Sequence, residues 1–188
     1  WCSDNTDPID RLVIQYGTSF IYPVSSVGSH VSASPNHQTG RVTSLKTRAV
    51  AATPGTFGYE LDLNKLSEEE KDEIRGQIKE YKKYARLVQQ GLYYRLTDPQ
   101  TADTGAWEFA SEDGKEALVQ AVTIRQHANM DVSYIKLRGL AENTVYREEE
   151  SGRTYNSTAL MEAGIPVPVE LGEYRAYQWH FVQEEQGE

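Results

Sequence analysis

Residues 67–91 read SEEEKDEIRGQIKEYKKYARLVQQG, and this stretch separates two parts of the chain that have different patterns. Ser67 with Glu70 three residues later forms a capping box, in which each side chain satisfies a free backbone N–H at a helix start. Apolar residues then recur every three or four positions: Ile74, Ile78, Tyr81, Ala85 and Val88. Gly91 supplies a C-terminal stop, so the pattern predicts a helix over 68–90 with one buried stripe.

Before this helix, predicted helices and strands alternate along the chain. Asp7 with Pro8 is a favourable helix start, because the aspartate caps free N–H groups and proline needs no hydrogen bond at the first helical position. The predicted elements are a helix over 8–17, a strand over 27–32, a helix over 43–52 and a strand over 56–61. The alternation is typical of βα units on a parallel sheet. Three units of roughly 30 residues do not close a fold, so residues 1–91 are predicted to be the last three βα units of a (β/α)8 TIM barrel.

After Gly91 the segments are short, alternate in polarity and are rich in β-branched and aromatic residues. The predicted strands contain residues 107–109, 118–126, 133–138, 145–147 and 174–182, and Asp113-Gly114 marks a turn. In the last strand Tyr177, Trp179 and Phe181 lie on one face, because successive side chains of a strand point to opposite sides. We therefore predict that residues 92–188 form an antiparallel β-sandwich of about six to eight strands. The fold class is α/β plus all-β.

The composition excludes several classes of partner. The 188 residues include 19 Lys and Arg against 28 Asp and Glu, a formal net charge of -9. This acidic balance argues against nucleic acid, which requires a local excess of basic side chains. No stretch approaches the ~20 apolar residues of a membrane-spanning helix. The single cysteine, Cys2, cannot form an internal disulfide, so we expect a reducing, cytoplasmic location.

Two carboxylates precede the first predicted helix. Asp4 and Asp7 flank Asn5-Thr6, just past the expected C-terminal end of a barrel strand, where such barrels place catalytic groups. A carboxylate there can act as a general acid or base when burial raises its pKa. The alternative interpretation is that both are loop and cap residues. Asp7 already has a structural explanation before Pro8.

Several motifs occur in order along the chain. They are Trp1 to Asp7, Arg11-Leu12, Gln15 to Ser19, Gly28 to Ser32, Pro35 to Thr39, Phe57 to Asp62 and Leu160 to Gly164. Together they resemble the α-galactosidases of glycoside hydrolase family 36, and the resemblance extends over essentially the whole chain. It implies that the chain is the C-terminal part of a longer enzyme, made of the end of the catalytic barrel and the C-terminal β-domain.

The resemblance also implies a reaction and its residues. The enzyme is expected to be a retaining hydrolase that releases terminal α-linked galactose from melibiose and raffinose-type sugars, with Asp4 as general acid/base. The family nucleophile is an Asp of an earlier strand outside this chain, so we expect the isolated chain to be inactive. Trp1 is expected to line the galactose site, because aromatic rings stack on the apolar faces of sugars. No cofactor or metal is implied, and the parent enzyme is expected to be a homo-oligomer, commonly a tetramer.

Other functions fit the same sequence. An α-N-acetylgalactosaminidase or a raffinose-synthase-like transglycosylase shares the barrel architecture with the leading candidate. From another class, the chain can be a non-catalytic carbohydrate-binding or subunit-assembly module. His30 and His37 are seven residues apart in a loop without a cysteine, which is poor spacing for zinc. Structural hydrogen bonding explains both histidines more simply.

Overall fold

The computed structural model describes residues 2–184, and its first part alternates helices with two parallel strands. The elements are helix α1 (Pro8–Thr18), strand β1 (Gly28–Ser32), helix α2 (Leu45–Ala52), strand β2 (Thr56–Glu60) and helix α3 (Glu68–Gln90). Strands β1 and β2 pair in parallel, from Gly28 opposite Thr56 to Ser32 opposite Glu60. Each predicted helix and strand of this part is present. None of the helices within the described range is long and apolar enough to cross a membrane.

Side chains cap the helix starts as predicted. At the start of α1, one carboxylate oxygen of Asp7 accepts hydrogen bonds from the backbone N–H groups of Ile9 and Asp10. At the start of α3, the Ser67 N–H donates to Glu70 Oε2 over 2.9 Å, and the Glu70 N–H donates to Ser67 Oγ over 3.2 Å. The capping box is therefore formed in both directions, and it sets the first residue of α3.

Replacing Ser67 by Ala is expected to lower the free energy of unfolding by about 1 kcal/mol, because the Glu70 N–H loses its acceptor. Chemical denaturation of the wild-type and variant proteins measures this difference. Ser67→Asp is the matched control, since it keeps a short oxygen acceptor at the cap, and it should lose less stability than Ser67→Ala. Equal losses in the two variants would contradict a capping role for the hydroxyl.

The buried side of α3 differs from the predicted stripe in its C-terminal half. Tyr84 and Leu87 are each only 6% exposed, whereas Ala85, which the predicted stripe contained, is half-buried. The first half of the helix packs through Ile74 against β1 and α2. The second half packs through Tyr84 and Leu87 against the antiparallel sheet. The β1/α2 layer covers the first half of α3 and the antiparallel sheet covers the second half. Because they pack from different directions, the buried face of α3 turns along its length.

The second part of the chain forms an antiparallel sheet of six strands. Among the described residues this part contains eight strands, six of them in the sheet: β3 (Leu92–Arg95), β4 (Thr104–Ala110), β5 (Glu116–Thr123), β6 (Tyr134–Ile135), β7 (Val145–Glu148), β8 (Thr154–Asn156), β9 (Ile165–Pro166) and β10 (Ala176–Gln183). The order across the sheet is β3-β4-β5-β10-β7-β8, and β6 pairs separately with β9. The last strand of the described residues, β10, therefore lies between β5 and β7, near the middle of the sheet.

Both faces of this sheet are covered, so β4 and most of β5 are buried along their length. On one face Phe109 and Leu118 pack against the three helices. On the other face Val119 and Phe181 pack against the β6/β9 ribbon and the π-helical turn Ala159–Ala163. The second layer of the predicted sandwich thus consists of a two-stranded ribbon, a helical turn and coil.

A buried amide network joins the sheet to the helices. Gln120 in β5 is completely buried and accepts a 2.9 Å hydrogen bond from the Trp107 indole. Its own amide donates to Thr53 Oγ1, just after α2, and to the side chain of Gln178. Gln178 in turn donates to Glu80 on α3 over 2.7 Å. Because an unpaired buried amide is costly, this network fixes the sheet against α2 and α3.

Candidate functional site

The segment before α1 places Asp4 at the surface between two anchored neighbours. Asp4 is exposed. On one side, the buried side chain of Arg11 reaches the Ser3 carbonyl oxygen over 3.4 Å. On the other side, the Asn5 N–H donates to Ser3 Oγ over 3.0 Å, and the Asn5 amide donates to Asp10 Oδ2 over 2.8 Å. The backbone around Asp4 is therefore fixed by α1.

Asp7 is the centre of a second group of contacts. Its side chain is 0% exposed. Besides the hydrogen bonds from the two N–H groups of α1, it accepts a 2.6 Å hydrogen bond from Thr39 Oγ1 and forms an ion pair with Arg41. Burial raises the pKa of Asp7. The hydrogen bonds from Thr39 and the backbone, with the charge of Arg41, outweigh burial and bring the pKa below its ordinary value. The prediction that Asp7 is a cap residue is confirmed, and both of its oxygens already have donors.

The loop after β1 wraps against the Asp4 segment. Asn36 is buried, and its amide donates to Thr6 Oγ1 over 3.1 Å. The Asn36 side-chain oxygen accepts from the N–H groups of Gln38 and Thr39 at 2.9 and 3.0 Å. The Asn36 N–H donates to the Arg41 carbonyl oxygen over 2.9 Å. The turn formed in this way presents Thr39 and Arg41 to Asp7, and we call Asp7, Thr39 and Arg41 the Asp7 cluster.

The antiparallel part of the chain also reaches the Asp7 cluster. The guanidinium carbon of Arg41 lies 5.2 Å from the ring centroid of Tyr174, in the loop before β10. Tyr174 has a φ of 62°, a left-handed conformation that costs a non-glycine residue roughly 1–2 kcal/mol. Its carbonyl oxygen accepts from Thr47 Oγ1 over 2.6 Å and its N–H donates to the Thr123 carbonyl over 2.8 Å. These bonds from both parts of the chain hold the Tyr174 backbone in that conformation.

The two histidines of the first part have different surroundings. His30 Nε2 lies 2.6 Å from Glu60 Oε2, across the β1–β2 pair. Burial lowers the pKa of His30, Glu60 raises it and Arg11 lowers it, with a net value below the ordinary one. His37 is exposed in the loop after β1. Across residues 2–184, no group of three or more His, Cys, Asp or Glu side chains is arranged to hold a metal ion.

Trp1, the other predicted site residue, lies outside the described residues. Cys2 is a free, half-buried thiol. Apart from the position of Thr39 at the end of the motif Pro35 to Thr39, the residues Thr39, Arg41 and Tyr174 carry no local sequence signal of a functional role. Arg41 is 34 positions from Asp7 along the chain, so no local spacing indicated their contact.

Family models match both parts of this chain. The Melibiase model matches residues 1–91, and the model of the glycosyl hydrolase family 36 C-terminal domain matches residues 104–181. The class defined by the fold and the matched segments is the glycoside hydrolases. Within that class, the chain belongs to glycoside hydrolase family 36.

Individual relatives agree with this assignment. The bifunctional alpha-galactosidase/sucrose kinase AgaSK of Mediterraneibacter gnavus is 57% identical over 183 residues, which are 97% of this chain and 20% of the relative. Alpha-galactosidase AgaA of Geobacillus stearothermophilus is 48% identical over 179 residues, or 95% of this chain and 24% of the relative. The chain thus spans a fifth to a quarter of the length of these relatives.

Solved structures of the same relatives have the same fold. The galactosidase domain of AgaSK has a TM-score of 0.95 and 57% identity, covering 98% of this chain and 26% of that chain. A variant of AgaA from Geobacillus stearothermophilus, crystallised in complex with raffinose, has a TM-score of 0.94 and 46% identity over the same shares of each chain. The arrangement of helices and sheet described above is therefore that of family 36 α-galactosidases.

Proposed function

We propose that this chain is the C-terminal part of an α-galactosidase that releases terminal α-linked galactose from raffinose-type oligosaccharides and melibiose. The observation that carries the proposal is the 57% identity, over nearly the whole chain, to a relative named as an α-galactosidase. A relative crystallised with raffinose supports the class of substrate. Asp4, exposed on a segment that is anchored at both sides, is the proposed proton donor and acceptor of the reaction.

Asp4 is assigned the role of general acid/base. In a retaining glycosidase, one carboxylic acid protonates the glycosidic oxygen while a carboxylate attacks the anomeric carbon. The first group then acts as base and removes a proton from the water that releases the sugar. Asp7 is unsuitable as the attacking carboxylate, because both of its oxygens accept hydrogen bonds within the fold. The family resemblance instead implies that the nucleophile is an Asp of an earlier barrel strand, outside this chain.

The same proposal divides the chain into residues 1–91, the end of a (β/α)8 catalytic barrel, and residues 92–188, the C-terminal β-domain. The parallel pairing of β1 with β2 supports the first assignment, and the six-stranded antiparallel sheet supports the second. We also propose a cytoplasmic location, because Cys2, the single cysteine of these 188 residues, has no partner among them for a disulfide. A homotetramer is the oligomeric state proposed for the full-length enzyme.

The full-length polypeptide that contains this chain is expected to release galactose from raffinose and melibiose, whereas residues 1–188 alone release none. Reaction with a nitrophenyl α-galactoside, followed by proton NMR, should show the α-anomer of galactose first, because two displacements retain the configuration. Initial appearance of the β-anomer would contradict the retaining mechanism. Preferential release of N-acetylgalactosamine, or transfer to sucrose without hydrolysis, would favour the related activities instead.

A further inference from the structure

We propose that Thr39, Arg41 and Tyr174 are positioning residues that hold the acid/base loop, and that the antiparallel part of the chain thereby contributes to the acid step. This inference rests on the proposed function, since it takes Asp4 as the acid. None of the three residues is assigned contact with the sugar. Their action on Asp4 passes through Asp7.

The Asp7 cluster contains more contacts than helix capping requires. The two N–H groups of α1 use Asp7 Oδ1. Thr39 donates to the other oxygen, Oδ2, and Arg41 adds a charge at Oδ1. Both donors come from the loop after β1, so the cluster joins two neighbouring loops. A buried carboxylate with several charge-assisted contacts is a strong and directional anchor.

The Asp7 anchor lies close to the acid Asp4 along the chain. Asp7 is three residues from Asp4, and its N–H donates to Asn5 Oδ1 over 2.9 Å. A shift of Asp7 therefore moves Asn5, which adjoins Asp4. Proton transfer requires the acid within hydrogen-bond reach of the glycosidic oxygen. A misplacement of roughly 1 Å can cost about 10²-fold in rate.

The antiparallel part of the chain contacts the Asp7 cluster through Tyr174. Arg41 lies between the Asp7 carboxylate and the Tyr174 ring, and its side chain is 24% exposed. The Tyr174 backbone is bonded to Thr123 at the end of β5 and to Thr47 in α2. The ring face of Tyr174 limits where the guanidinium can move. A contact path therefore runs from the sheet through Tyr174 and Arg41 to the loop of Asp4.

Thr39→Val and Arg41→Gln, made in the full-length enzyme, test the proposal. For each variant kcat/KM is measured on raffinose, whose leaving group needs a proton, and on dinitrophenyl α-galactoside, whose leaving group departs without one. The expected loss on raffinose is roughly 10- to 100-fold, with a change of less than about threefold on the activated substrate. Arg41→Lys should recover part of the raffinose activity, because it keeps the charge but not the planar guanidinium.

Variants of Tyr174 and Arg125 test whether the selective loss on raffinose depends on the contact path through Tyr174 and Arg41. Tyr174→Leu is expected to show the same selective loss on raffinose, and Tyr174→Phe, which keeps the ring, should lose less. Arg125→Gln is the control, because Arg125 also pairs with an aspartate, Asp103, at 2.9 Å, but in the antiparallel part and outside the Asp7 cluster. It should leave the ratio between the two substrates unchanged.

The outcomes separate this inference from the proposed function. Equal losses on both substrates in Thr39→Val and Arg41→Gln would show general damage to the fold and overturn the positioning role. Unchanged raffinose activity would overturn it as well. Asp4→Asn is measured in parallel. If that variant also fails to distinguish the two substrates, the assignment of Asp4 as the acid is wrong, and the positioning role is overturned with it.

Discussion

Asp4→Asn in the full-length enzyme is expected to lower kcat/KM for raffinose by roughly 10²- to 10⁴-fold, the usual contribution of a general acid. Asparagine has nearly the same shape as aspartate but cannot give a proton to the glycosidic oxygen. Since Asp4 is exposed, the substitution should leave the fold intact. The loss on dinitrophenyl α-galactoside should be much smaller in kcat/KM, because its first step needs no proton from the enzyme.

The second half of the reaction gives an independent test of Asp4. Without a general base, the galactosyl-enzyme intermediate reacts slowly with water, so kcat on the activated substrate should fall together with KM. Azide can attack the intermediate without deprotonation, and it should restore turnover and give α-galactosyl azide. Asp72→Asn, which removes the same charge from a side chain that is 73% exposed on α3, should behave as wild type. Unaltered raffinose turnover in Asp4→Asn would remove Asp4 from the mechanism.

Local sequence signals predicted most of the first part of the fold because the physical causes are themselves local. The capping box of Ser67 and Glu70 defines the start of α3 within four residues of chain. Asp7 before Pro8 defines α1 in the same way. The buried face of α3 was less predictable. It depends on the sheet that packs against Tyr84 and Leu87, and that sheet is formed by residues distant in sequence.

Three of the short strands were also beyond the sequence patterns. The predictions did not include β3, β8 or β9, which have four, three and two residues, and of the predicted strand over 133–138 only the two residues of β6 are strand. Alternation over so few positions is indistinguishable from a loop, and β8 and β9 exist because a partner strand pairs with them. The candidate site shows the same limit. Asp4 belongs to a recognisable motif, whereas the contact of Arg41 with Tyr174 depends on how the two parts of the chain pack.

Glu108 is a buried acidic side chain in β4, the second strand of the sheet. It is completely buried, and its Oε2 accepts a 2.7 Å hydrogen bond from the Arg138 N–H. Within residues 2–184, Oε1 has no hydrogen-bond partner. Burial raises the pKa of Glu108 to about 8, although the Arg138 N–H and charge lower it. The folded protein therefore holds this carboxyl group protonated at neutral pH.

The raised pKa of Glu108 predicts that stability falls as the pH rises from about 4.5 to about 8. Between the ordinary carboxyl pKa of about 4.5 and the folded value of about 8, the folded state binds one proton more than the unfolded state. The free energy of unfolding therefore falls as the pH rises through this range. It stops falling once Glu108 is ionised in the folded state, above about pH 8. A raised pKa of this size corresponds to a loss of several kcal/mol, on the order of 1.4 kcal/mol for each tenfold change in proton affinity.

Glu108→Gln should remove this pH dependence, because the amide has nearly the same shape and cannot ionise. Amide hydrogen exchange in β4 and β5, corrected for the intrinsic effect of pH, measures the local stability. At pH 8.5 the variant is expected to be several kcal/mol more protected than wild type, and at pH 4.5 the two should be similar. Glu112→Gln is the control, since Glu112 is exposed in the adjacent hairpin and should retain the wild-type pH dependence. Wild-type β4 amides equally protected at pH 4.5 and pH 8.5 would show that Glu108 does not bind its proton in the folded state.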